Sequence, residues 1–220
     1  PTYPDSFNVF DGQGIPDAFN LSPLKDTTAQ SSKALIIGIG LCDMDTNTVD
    51  TFCTWHISAK AHVIHMETTQ QYANYALKLH RKIALHGRTV HSAIRLENTG
   101  AAPIPIRWFP HPFYPQTQND ELCRFNIPVS FPENDGFEIA ASGFISRKNW
   151  PWSQSGAFQA LDHNALNNLV VLQKHPVIGL VSAACSYQPA FFPIWGNTKT
   201  FSWEPFLERT LFKQQTLDWW

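Results

Sequence analysis

At 220 residues, 43% hydrophobic and only 15% charged, the chain has material for one large β domain and lacks the polarity of a disordered one. A net charge of −2 with scattered Lys and Arg provides no basic stripe for a phosphate backbone, which excludes nucleic acid as the expected partner. No apolar run approaches the roughly 20 residues of a membrane span, and the opening Pro1-Thr2-Tyr3-Pro4-Asp5 has no signal-peptide pattern, so a soluble, cytoplasmic protein with no membrane partner is expected.

A start on proline without Met is read as a processed chain or one lacking an N-terminal portion, and residues 1–220 are read as a single domain. Sixteen prolines and an aromatic content of 13% favour strands over long helices. In chain order, 26–33 is a polar loop, followed by strands over 35–39 and 54–66. Apolar side chains then alternate over 75–85, which is the period of a half-buried strand. His86-Gly87-Arg88 forms a hairpin turn, the alternation resumes over 90–96, and Asn98-Thr99-Gly100 closes it with turn chemistry. Further strands are expected over 104–109, 168–173, 178–186 and 200–203, with a polar loop over 116–121 and helix only in short pieces, around Ala165. Many short strands at close spacing predict an all-β antiparallel sandwich. Cys42, Cys53, Cys123 and Cys185 show no CxxC pair and no zinc-ligand spacing, so buried free thiols and no metal are expected.

Three segments carry residues suited to chemistry. His111 stands in His111-Pro112-Phe113-Tyr114, where proline fixes φ and neighbouring rings restrict the imidazole. A packed residue with no chemical role is the plainer account of such a histidine. Glu204 follows the strand at 200–203 within Trp203-Glu204-Pro205-Phe206. Burial among Trp203, Phe206 and Trp195 would raise its pKa toward that of a general base, whereas a solvent-facing Glu before a strand-ending Pro is the plainer account. Asp162, in Leu161-Asp162-His163-Asn164, can accept hydrogen bonds from hydroxyls or cap a turn.

Taken in order, these segments resemble the aldose 1-epimerase (galactose mutarotase) family and its glucose-6-phosphate 1-epimerase relatives. Asn98-Thr99-Gly100 with His111-Pro112-Phe113-Tyr114 is similar to the family's Asn-x-Gly and His-Pro segment. Leu161-Asp162-His163 is similar to its Asp-His substrate segment, and Trp203-Glu204-Pro205-Phe206 to its terminal Glu-Pro base motif. Asp11 to Phe19 resembles the Gly-Gly-x-Pro segment near the family's start. The resemblance implies a large galactose mutarotase-like β-sandwich and, without any cofactor, interconversion of the α and β anomers of a sugar by ring opening. It assigns Glu204 as base and His111 as acid. Asp162 would bind hydroxyls, Trp108 or Trp195 would stack on the sugar, and Arg107 would stand in for the family's arginine, its plainer account being an exposed strand charge.

The chain departs from the pattern at two places. No histidine stands near Ile37-Gly38-Ile39-Gly40, where members carry a second one, and no arginine lies near Gln13. A non-catalytic carbohydrate-binding protein with an incomplete site is therefore the alternative. A glycosidase would need a second carboxylate about 5 to 10 Å from Glu204, with Glu208, Glu138 and Asp162 as the available groups. The expected partner in each case is a small-molecule sugar or sugar phosphate. Neither its identity nor the oligomeric state is legible.

Overall fold

The computed structural model describes residues 18–153, 155–164 and 168–220. Every regular element among them is a strand, and the larger sheets are antiparallel, so the all-β class read from the sequence is the one observed. The strands fall into two compact units. One is Phe109–Leu207, and the other joins the residues up to Trp108 to Glu208–Trp220.

The discontinuous unit opens with β1 (Leu24–Lys25), β2 (Lys33–Ile36), β3 (Gly40–Asp43) and β4 (Thr48–Phe52), paired in that order. β2 stops at Ile36, short of residue 39, because Gly38 turns the chain at φ 79°, a conformation that only glycine adopts without steric cost. The Gly38 N–H is then taken by the Gln70 side chain at 2.7 Å. Next come β5 (His56–Lys60), β6 (Val63–Tyr72), β7 (Tyr75–His86) and β8 (Thr89–Asn98), an antiparallel meander. The stretch 54–66, expected as one strand, is thus corrected to parts of two, with Ala61-His62 reversing the chain between them. The turn expected at Gly87 is present, with φ 59°.

The alternation in β7 buries Leu77 and Leu79. Arg81 shares that face and donates to Ser92 Oγ at 2.6 Å, and burial lowers its pKa to about 10. At the end of β8, Asn98 is fully buried. Its amide donates to the carbonyls of Ala102 and Leu211, both at 2.9 Å, while its Oδ1 accepts from Gly100 N at 3.0 Å. A side chain at Gly100 would meet Ala76 N at 2.4 Å, so the Asn-Thr-Gly turn is built for close backbone approach. β9 (Ile104–Trp108) follows.

The continuous unit holds β10 (Tyr114–Pro115), β11 (Glu121–Phe125), β12 (Val129–Ser130), β13 (Phe137–Ile139), β14 (Ile145–Arg147) and β15 (Ala157–Ala160). It continues with β16 (Asp162–His163), β17 (Val170–His175), β18 (Gly179–Ala184), β19 (Pro193–Gly196) and β20 (Thr200–Trp203). These make a sheet of order β10-β20-β19-β15, a sheet of order β13-β14-β11-β17-β18, and the pair β12-β16. Its core sets Phe137 edge-on to Trp152 at 4.8 Å and to Phe201 at 6.3 Å. Each such ring, once buried, contributes roughly 1.5–3 kcal/mol. Gly196 makes room for this cluster, since a Cβ there would lie 2.6 Å from Trp152.

The chain then re-enters the discontinuous unit. β21 (Leu207–Leu211) pairs with β9, and β22 (Thr216–Trp219) completes the sheet β22-β8-β7-β6-β5. The strand expected at 168–173 runs over Val170–His175, and that at 178–186 over Gly179–Ala184. The short helix expected around Ala165, and all of Asp11 to Phe19 except Ala18 and Phe19, lie outside the described residues. Among the described residues no helix is long and apolar enough to cross a membrane. The four cysteines are unpaired thiols, three buried and Cys53 half-buried.

Candidate functional site

His111 and Glu204 both belong to the continuous unit, and His111 Nε2 lies 3.1 Å from Glu204 Oε1. Their side chains are only 15% and 11% exposed. Two local features hold the imidazole. Pro110 and Pro112 flank it and fix φ on either side. The rings of Phe109 and Phe113 stand 5.4 and 4.3 Å from it, and Phe109 in turn stacks on Phe206 at 4.4 Å. With Nε2 facing a carboxylate oxygen, that nitrogen carries the proton. Nδ1 is buried and has no hydrogen-bond partner among the described residues.

Glu204 continues the ladder of β20, its N–H donating to Pro193 O at 2.9 Å. The segment after it is tied down twice. Phe206 N donates to Phe191 O at 2.8 Å, and the buried Tyr187 hydroxyl donates to Pro205 O at 2.8 Å. Burial pushes the Tyr187 phenol well above its ordinary range, so it stays a donor. Trp203, on the other face of β20, stacks on Tyr114 at 5.8 Å, and burial raises Tyr114 to about 12.

Asp162 begins β16 opposite Ser130 and is exposed. It lies two residues beyond Ala160, which pairs with Pro193 on β19. Trp195 pairs with Ser202, and strand alternation puts it on the face that carries Glu204. Arg107 and Trp108 belong to the other unit. There Arg107 Nε lies 3.0 Å from Glu208 Oε1, and Trp108, 5% exposed, packs between Trp219 at 5.4 Å and Phe19 at 6.5 Å.

Sequence reasoning passed over Tyr187 and Ser202. Ser202 is fully buried on the Glu204 face, with its hydroxyl unpartnered among the described residues. Its place two residues before Glu204 was the one available signal. Among the described residues no three His, Cys, Asp or Glu side chains converge to hold a metal ion. The arrangement places a carboxylate and an imidazole within reach of each other, both largely buried, as acid/base chemistry on neighbouring oxygens requires.

No family model and no curated protein matches the sequence. Among solved structures, a galactose mutarotase related enzyme from Lactobacillus acidophilus is similar over 77% of this chain and 69% of its own, at 8% identity and TM-score 0.47. A putative aldose 1-epimerase from Escherichia coli K12 is similar over 75% of this chain and 66% of its own, at 10% identity and TM-score 0.47. A protein from Synechocystis sp. PCC 6803 is similar over 94% and 74%, at 9% identity and TM-score 0.50. Of these three, the Synechocystis protein alone reaches a TM-score of 0.50, and at 9% identity the likeness is one of fold. The chain spans about two thirds to three quarters of the length of these structures.

Proposed function

We propose that this chain is an aldose 1-epimerase-like carbohydrate enzyme that interconverts the α and β anomers of a sugar. The observation that supports the reading is the 3.1 Å approach of His111 to Glu204, both largely buried. In the opening step the Glu204 carboxylate takes the proton of the anomeric hydroxyl. The C1–O5 bond breaks as the His111 imidazolium protonates the ring oxygen, which leaves a C1 carbonyl and a C5 hydroxyl. Rotation about C1–C2 turns the carbonyl over. Closure then runs the transfers backwards and restores carboxylate and imidazolium. Each positioned group is worth about 10² to 10⁴ in rate. Asp162, exposed next to β15, would accept hydrogen bonds from sugar hydroxyls, and Trp195 would meet the apolar face of the ring. Arg107 and Trp108 take no part in this reaction. Residence in the cytoplasm is part of the same proposal, supported by four free thiols.

Saturation transfer between the anomeric protons of free sugars measures the reaction directly. Addition of the protein is expected to speed exchange for at least one aldose, and Glu204→Gln, which keeps size and hydrogen bonding, to slow it by about 10² to 10⁴. Exchange undiminished in that variant would sink the assignment of the base. A second reading, a carbohydrate-binding protein, is favoured by the lack of any histidine near Ile37-Gly38-Ile39-Gly40, the stretch where the resemblance leads one to expect a second one. On that reading the parent chain binds sugar and leaves anomer exchange at its rate in water.

A further inference from the structure

The five-stranded sheet of the discontinuous unit lines a groove of about 630 Å3, a volume within the range of small-molecule sites. Two paired rows on one face of the sheet contribute to it. The first runs His56, Glu67, His80, Arg95 and Asp218 across β5, β6, β7, β8 and β22. The second, two residues further along the strands, runs Ser58, His65, Lys82 and Ala93.

The rows differ in charge. In the first, each carboxylate already has its cation. Glu67 lies 2.8 Å from Lys78 Nζ and 3.0 Å from His80 Nδ1, and Asp218 accepts from Arg95 at 2.7 and 3.1 Å. The second row has no carboxylate, and the side chains of Ser58, His65 and Lys82 are exposed and make no hydrogen bond or ion pair among the described residues. The row beyond it, Lys60, Val63, Ala84 and His91, also lacks an acid. In a chain of net charge −2, one end of this groove thus gathers donors with no anion to serve.

The ammonium, the imidazole and the hydroxyl each present an N–H or O–H. Cβ atoms of directly paired residues stand about 5 Å apart, so one tetrahedral group set between His65 and Lys82 reaches both. Donors from three neighbouring strands match the three terminal oxygens and nearly double charge of a phosphate monoester better than the two oxygens of a carboxylate. The first row begins about 6.8 Å further along the strands. Its internally neutralised carboxylates keep lone pairs for hydroxyls and leave no cation free for a second phosphate.

We propose that this groove binds a phosphate monoester of a small hydroxylated molecule, its phosphate held by Ser58, His65 and Lys82 and its hydroxyls over Glu67, His80 and Arg95. The site shares no residue with His111 and Glu204 and does not depend on anomer exchange.

Titration of the parent chain at low salt with glycerol 3-phosphate, inorganic phosphate and glycerol tests it. Glycerol 3-phosphate is expected to bind more tightly than either of the others, and added salt to weaken it. Lys82→Glu should abolish that binding, and His65→Ala should weaken it by about three- to tenfold. Lys213→Glu, the same charge change at another exposed lysine, should leave it unchanged. Absence of binding to the ester, equal affinity for inorganic phosphate or for glycerol, or equal loss in Lys82→Glu and Lys213→Glu would overturn the proposal.

Discussion

Two faces of this molecule bring histidines up to carboxylates. On the five-stranded sheet, His56, Glu67, His80, Arg95 and Asp218 stand in one directly paired row across β5, β6, β7, β8 and β22, lining a groove of about 630 Å3. Glu67 holds Lys78 at 2.8 Å and His80 at 3.0 Å, with the Lys78 hydrogen bond lowering its pKa. Arg95 and Asp218 meet through two bonds of 2.7 and 3.1 Å. In the continuous unit one imidazole and one carboxylate face each other, largely buried, between phenyl rings. The first face has more charge and lines a groove, but its carboxylates are already neutralised by cations in water, where such pairs are worth little. At the second, removal from solvent makes every proton position count. The two faces thus differ less in the number of their ionisable groups than in the supply of competing partners and solvent around them.

Replacing Tyr187 by Phe is the larger perturbation of the buried region. It leaves the Pro205 carbonyl without its buried donor, and stability to urea should fall by about 1–3 kcal/mol. A fall in midpoint too small to resolve would mean that the 2.8 Å bond does not hold the Glu204 segment. Alkali acts on the same region more gently. Tyr114, raised to about 12 by burial, and Tyr187, raised in the same direction, stay protonated in the folded chain after their unfolded counterparts ionise near pH 10. Their contribution is therefore complete below pH 10 and lost as the pH climbs toward 12. Urea midpoints from pH 9 to 11.5 should drop, and the drop should be shallower in Tyr114→Phe. The smallest effect is expected on the exposed sheet. Glu67→Gln should leave both the unfolding midpoint and anomer exchange where they were, and a large loss of exchange there would reverse the comparison.

The long strands could be read from the sequence, because β7 and β8 keep period two for ten residues or more and Gly87 marks their turn. The β5–β6 hairpin could not, since Ala61-His62 carry none of the glycine, asparagine or proline chemistry that announces a reversal. β13, β14 and β15, at three or four residues each, are too short for a period to register. His111 and Glu204 stood out by their proline and aromatic neighbours and took their roles from the resemblance of motif, but no local signal linked them to each other. Tyr187 escaped for the same physical reason, since its hydroxyl meets a carbonyl eighteen residues away.

The prolines on both sides of His111 reach beyond geometry. Residues 110 and 112 have no amide hydrogen to donate, so this stretch is unfit to be recruited into an adjoining ladder. A one-residue slip in a nearby sheet would invert every side chain of the slipped strand, while the imidazole, anchored on chain that cannot join such a strand, would be spared that exchange of inside for outside.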